Sequence, residues 1–206
     1  MGSEDVLGVI VNRTVNGRAV RYIERLKSRL FTLAADAFFV DAGLTYSGAA
    51  TTTITGLWHL EGRMVSVLAD AAVVSGLTVS GGAITLPIAA TKAHIGLAYN
   101  SDLQTLPAVF DQVQASGQGT MKNVSSVSIR VTQSSLVKAG PTFNKLTDYP
   151  ARAVSDPYGS PPALRTGELR LSITPSWNTD GAVCIRQDQP LPLTVLSLTV
   201  NDAVGG

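Results

Sequence analysis

His59 and His94 are the only histidines in the chain, and a hydrolase triad would need one of them beside a nucleophile and an acid. No Gly-x-Ser-x-Gly nucleophile elbow is present. His59 lies in Gly56-Leu57-Trp58-His59-Leu60-Glu61-Gly62 and reads as a partly buried turn residue bonded to backbone. His94 falls in a strand-like run and is expected on its wet face. The two are far apart in sequence, and no carboxylate spacing completes a metal set around them. Ser135-Leu136-Val137-Lys138 has the Ser-x-x-Lys spacing of penicillin-recognising enzymes, but the Ser-Asp-Asn and Lys-Thr-Gly elements of that chemistry are absent. Cys184, the one cysteine, sits between Val183 and Ile185 and reads as a buried, inert thiol. Single changes of His59 or Cys184 to Ala are expected to alter stability at most.

Other short signals carry no more chemistry. Asn12-Arg13-Thr14 and Asn123-Val124-Ser125 fit the glycosylation pattern but read as strand-end residues. Asn178-Thr179-Asp180-Gly181 is a turn signal that lacks the other acidic ligands of a calcium loop. No glycine-rich phosphate loop occurs. Trp58, Trp177, Tyr46, Tyr99, Tyr149 and Tyr158 are the types that stack on sugars, but aromatics make up only 6% of the chain, which favours roles in the core or at subunit contacts. The residues point to no catalytic, cofactor-binding or metal site, and so to no enzyme.

The elements that would position such residues are strands. Residues 6–15 and 18–26 flank Asn16-Gly17, whose types suit a two-residue type I′ hairpin. That register places Val11 opposite Tyr22 and Ile10 opposite Ile23. Ile23, Leu26, Leu30 and Leu33 also recur at helical spacing, so a helical turn is expected at about 27–35. Residues 41–107 read as a compact module of short strands. Within it, Leu77-Thr78-Val79-Ser80, Gly81-Gly82 and Ala83-Ile84-Thr85-Leu86 form a predicted second hairpin, with Val79 opposite Ile84 and Leu77 opposite Leu86. Residues 107–122 read as a linker. Beyond it, Val127, Ile129 and Val131, then Leu169, Leu171 and Ile173, then Val183 and Ile185, then Leu196, Leu198 and Val200 show the period-two pattern of half-buried strands. A lone hairpin is marginal in water, so the first one is expected to pair with these late strands. The predicted organisation is a β-sandwich-like module of residues 1–40 and 108–206, with residues 41–107 inserted as a small β-barrel-like module.

Composition agrees with a packed β protein. The 206 residues are 45% hydrophobic and 15% charged, with 19 glycines and 10 prolines, enough for one large or two small cores. The formal net charge of +1 supplies no overall field for nucleic acid or an anionic membrane. So sparse a charge leaves surface poorly protected against association. A single cysteine excludes an internal disulfide and a multi-cysteine zinc site. The opening Met1-Gly2-Ser3-Glu4-Asp5 lacks the regions of a secretory signal and is expected to be a vector remnant. No apolar run nears the roughly 20 residues needed to span a bilayer, so a soluble protein is expected.

Four segments carry a resemblance: Ala37-Phe38-Phe39-Val40-Asp41-Ala42-Gly43-Leu44-Thr45-Tyr46-Ser47-Gly48, Gly56-Leu57-Trp58-His59-Leu60-Glu61-Gly62, His94-Ile95-Gly96-Leu97-Ala98-Tyr99 and Ile185-Arg186-Gln187-Asp188-Gln189-Pro190-Leu191-Pro192-Leu193-Thr194-Val195. In order and spacing they resemble the tail tube nozzle-type structural proteins of short-tailed bacteriophages and prophages. Members are usually longer, so the resemblance implies a C-terminal fragment. It further implies a small β-barrel module, similar in fold to one in ubiquitin-activating enzymes, beside a β-sandwich-like sheet. Two positions depart from the family: Asp70-Ala71 stands where Asp-Gly is expected, which counts against a tight glycine turn there, and Ala98 stands where proline is expected. The function implied is an assembly component of a phage tail, located in the virion and assembled in the host cytoplasm, contacting other tail proteins in a homo-oligomeric ring. The proline-rich loop 149–165 supplies candidate interface residues Tyr149, Arg152, Tyr158 and Arg165, of types frequent at interface hot spots. A carbohydrate-binding or host-recognition module is the alternative, and an unrecognised hydrolase ranks third.

Overall fold

The computed structural model describes residues 6–109, 119–152, 154, 156–157 and 159–204. It is all-β: four antiparallel sheets joined by turns, with two single-turn 3-10 helices at Ala34–Asp36 and Trp58–Leu60. No helix among the described residues is long and apolar enough to cross a membrane. The chain divides into two compact units, Met1–Tyr99 with Gly159–Pro161 and Gln189–Leu191, and Asn100–Tyr158 with Pro162–Asp188 and Pro192–Gly206.

The first unit holds β1 (Gly8–Val15), β2 (Arg18–Arg25), β3 (Asp41–Thr55), β4 (Met64–Ala69), β5 (Ala72–Thr78) and β6 (Ala83–Leu97). Strands β1 and β2 form the predicted hairpin in the predicted register, Ile10 opposite Ile23 and Val11 opposite Tyr22. Asn16 and Gly17 both take positive φ, 48° and 75°, as a type I′ turn requires. The hairpin does not pair with the late strands; it is a two-stranded sheet of its own and clusters with the residues up to Tyr99. The division of the chain therefore falls at about residue 100 and leaves 1–40 with 41–99. The reason is a charge cluster. Arg13 holds Glu24 through Nε and Nη2 at 2.5 and 2.8 Å, and Asp41 at the start of β3 at 3.0 and 3.1 Å. The two carboxylates, Glu24 first, raise the Arg13 pKa further above its ordinary value. Tyr22 adds an edge-on ring contact to His59. The helical turn expected at 27–35 is reduced to the 3-10 turn at Ala34–Asp36.

Strands β3 and β6 are long and bent, with three register shifts between them. They curl around Ile54, Leu57, Leu60, Val65, Val67, Ile84, Leu86 and Ile95, all nearly inaccessible. The sheet order is β3-β6-β4-β5. Curling stops short of closure: the outer strands of this sheet, β3 and β5, do not pair, and no closed barrel forms among the described residues. The second predicted hairpin is corrected too. Gly81 and Gly82 do turn with positive φ, but Leu77 pairs with Val65 of β4 rather than with Leu86. Val79, Ile84 and Leu86 nevertheless share one core, with Leu77 packed against it.

A tight turn also joins β4 to β5 at Asp70-Ala71, with φ of 45° and 69°. Asp70 holds it by accepting hydrogen bonds from the Thr91 amide and hydroxyl and the Lys92 amide, each at 2.9 Å. Desolvation pushes its carboxyl up, but these bonds together outweigh it and leave the pKa lowered. Ala71, also at positive φ, has no side-chain bond to offset the strain. Left-handed backbone costs a residue with a Cβ roughly 1–2 kcal/mol, while the buried methyl is worth about 0.8 kcal/mol. Ala71→Gly is therefore expected to stabilise the protein by about 0.5 kcal/mol, read as a rise in the urea midpoint at constant slope.

The second unit holds β7 (Ser101–Gln104), β8 (Lys122–Ser134), β9 (Lys138–Thr142), β10 (Lys145–Asp148), β11 (Arg165–Ser172), β12 (Trp177–Asn178), β13 (Cys184–Gln187) and β14 (Val195–Val204). One sheet runs β10-β9-β13-β7; the other has β8 at its centre, flanked by β11 and β12 and paired with β14. The inward residues of both sheets, among them Val127, Ile129, Val131, Ala139, Leu169, Leu171 and Ile185, bury one shared cluster. That is sandwich packing. Most of the predicted alternation is realised, but Leu196 is exposed because β14 shifts register between Val195 and Ser197. The expected linker 107–122 lies largely outside the described residues, and its last residue, Lys122, opens β8.

Candidate functional site

Each residue with chemical potential in the sequence is tied into structure. His59 bonds through Nε2 to the Ala42 carbonyl at 2.8 Å, as its turn position suggested. Its neighbours complete a clasp: the Glu61 carboxylate accepts the Gly81 and Gly82 amides at 2.9 and 2.7 Å. Trp58 lies flat over Gly82, where any Cβ would strike its indole. The Gly56–Gly62 run is thus a fastening of three segments.

His94 is a correction. It is not on a wet face but 4% exposed, with Nε2 3.0 Å from the Ala35 carbonyl and Nδ1 2.9 Å from the Thr45 hydroxyl. A carbonyl only accepts, so Nε2 carries the proton and Nδ1 accepts from Thr45. Desolvation lowers its pKa, against the opposing Ala35 bond. The segment before β3 covers this position, with the Phe38 ring edge-on to the imidazole at 5.3 Å, and strand alternation gave no sign of it. Cys184 is buried as expected, and desolvation raises its pKa. Among the described residues, no three His, Cys, Asp or Glu side chains gather as a metal site would require.

The segment of residues 185–195 is equally tied into structure. Gln187 is buried and donates through Nε2 to the carbonyls of Ser135 and Leu136 at 2.8 and 2.7 Å. It thereby holds a turn in which Gln133 and Leu136 take positive φ. Arg186 grips Asp102 at 2.6 and 2.7 Å and lies over the Phe143 ring. Lys138 pairs with Asp188 at 2.7 Å.

What remains open is a cleft of about 380 Å³ in the second unit. The end of β10, with Thr147 and Asp148, lines one side, and Arg165, Arg170, Leu171 and Ser172 of β11 line the other. Tyr149, Pro150 and Arg152 complete it. Three of the four expected interface residues, Tyr149, Arg152 and Arg165, therefore meet here; Tyr158 lies outside the described residues. The Arg165 guanidinium carbon sits 5.7 Å from the Tyr149 ring centroid, a cation–π distance. The Arg165 Nε is buried and has no hydrogen-bond partner among the described residues. Arg152 donates to the Pro157 carbonyl at 3.2 Å. The single carboxylate, Asp148, is 3.7 Å from Lys138. Arg165 and Arg170 against one partly compensated carboxylate give the cleft a cationic lining on a chain whose net charge is only +1. No known family model matches the chain, and no curated protein matches it. Its role therefore rests on this geometry and on the sequence resemblance.

Arg170 was not among the expected site residues. Its signal was present, as the charged partner of Leu169 and Leu171 in the β11 alternation. Nothing in the sequence showed that β10 would come to rest beside it. The exposed tryptophans, Trp58 at 66% and Trp177 at 52%, stand in different units.

Proposed function

We propose that this chain is a structural and assembly component of a bacteriophage or prophage tail, making protein–protein contacts in the tail tube or nozzle. In this reading the full-length protein forms a homo-oligomeric ring with other tail proteins as neighbours, without catalysis. The observation that carries it is the cationic cleft of the sandwich unit, where Tyr149, Arg152 and Arg165 converge. Tyr and Arg are the types that dominate binding energy at protein interfaces, and a stiff sandwich core holds them in place. The non-catalytic part rests on His59 and His94 being engaged by backbone carbonyls and on Cys184 being buried.

The test uses the full-length protein. Rings are expected in sedimentation at high concentration, together with co-purification with virions or tail proteins. A protein that stays monomeric and never co-purifies sinks the proposal. The exposed Trp58 and Trp177 favour the second reading, a carbohydrate-binding or host-recognition module. Glycan-array binding lost on changing either tryptophan would establish it.

A further inference from the structure

The cleft has a feature that side-chain chemistry alone does not exploit. Both strands that line it are outermost in their sheets: among the described residues β10 pairs only with β9, and β11 only with β8. An edge strand presents a row of backbone N–H and C=O groups to any extended chain laid beside it. Here that edge runs beside Arg165 and Arg170. Among the described residues, the Nε–H of Arg165 is buried without an acceptor. A buried donor in that state is costly, and an incoming oxygen would relieve it.

We propose that this cleft binds an extended acidic polypeptide segment, added as a strand beside β11, with its carboxylates on Arg165 and Arg170. The inference rests on the assembly reading and names the kind of partner that reading requires. A carboxylate matches guanidinium better than any other protein group, because two parallel N–H···O bonds form at once. Arg165 and Arg170 stand on opposite faces of β11, and successive side chains on an added strand also point to opposite faces, so consecutive acidic residues present a carboxylate to each arginine. Main-chain bonding supplies affinity in strand addition, and pockets for alternate side chains supply specificity. An acidic sugar would satisfy the arginines but leave the strand edge unused, so polypeptide is the favoured source.

The probe is a short end-capped peptide of consecutive Glu residues, titrated into the isotopically labelled full chain. Amide shifts of Arg165–Ser172 are expected to move with the peptide. Arg170→Gln, at an exposed position that folding does not need, is expected to weaken binding roughly tenfold. Replacing Glu by Gln in the peptide should weaken it at least as much. A peptide methylated on alternate backbone nitrogens should bind no better than the Gln peptide. Absence of shifts, equal binding by the Gln peptide, or undiminished binding by the methylated peptide overturns the proposal. So does a carboxylated oligosaccharide that binds the cleft where the peptide does not. Rings that form although the peptide fails to bind refute the cleft and leave the assembly reading standing. Peptide binding without rings or co-purification refutes assembly and leaves the cleft.

Discussion

Replacing Lys122 by alanine is expected to destabilise the second unit by about 4 kcal/mol, among the largest effects of any single change in the chain. Lys122 is 1% exposed at the first position of β8. Its Nζ donates to the Thr179 carbonyl at 2.7 Å and lies 3.4 Å from the Thr120 carbonyl. The side chain thus ties the Asn178–Gly181 turn to the sheet. That turn is otherwise held by Asn178, whose Oδ1 accepts the Asp180 and Gly181 amides at 2.9 and 2.6 Å. Alanine removes the four-carbon stem, leaving a cavity worth about 2–3 kcal/mol. It also strips Thr179 of a charged donor, worth about 1.5–3 kcal/mol. Lys122→Met keeps the volume and loses only the donor, so it should fall between wild type and alanine. The measurement is urea unfolding followed by near-UV circular dichroism. A methionine variant as stable as wild type would show that the ammonium contributes nothing and that the stem alone matters.

Gly140→Ala is expected to cost about 3 kcal/mol, and to weaken any ligand of the cleft as well. Gly140 lies in the middle of β9, between β10 and β13. A Cβ there would sit 1.9 Å from the Lys145 carbonyl oxygen. The obstacle is backbone, so no side-chain rotation relieves it. Either β10 moves away or β9 leaves Cys184 and Ile185 of β13, its register partners. Movement of β10 would carry Thr147 and Asp148 with it and pull on Tyr149, whose amide donates to the Val137 carbonyl at 2.8 Å. The cleft would therefore change shape in a variant without any altered cleft residue. Thermal unfolding of the variant and the shifts of the β11 amides test the two parts separately. An alanine variant with unchanged midpoint and spectrum would mean that β10 is free to yield.

Local rules decided a great deal from sequence alone. Asn16-Gly17 determined a turn type, a register and the faces of eight-residue strands, because only a narrow set of residues tolerates positive φ at two adjacent positions. Alternation in β8, β11 and β13 marked the core of the sandwich, because neighbouring side chains on a strand must face opposite ways. Burial of Cys184 and the backbone bond of His59 followed from the same local reasoning.

Pairing across distance was another matter, and it was decided by the tertiary structure. The β1–β2 hairpin leaves Ile10 and Ile23 exposed, and its Arg13 reaches Asp41 of the first unit, a contact that no local pattern marked. Leu77 could alternate equally well opposite Leu86 or Val65, and the competing β4 took it. The segment before β3, with Ala35 and Phe38, covered His94, which a bare strand face would have left in water. The cleft depends on the same kind of choice. Tyr149, Arg152 and Arg165 were visible as residue types, but Arg170 joined them only because β10 and β11 end up as edge strands on two sides of one opening. Turn preference and alternation act between neighbours and are written residue by residue. Strand partnership is a competition among surfaces far apart in the chain, and its outcome exists only when all of them have packed.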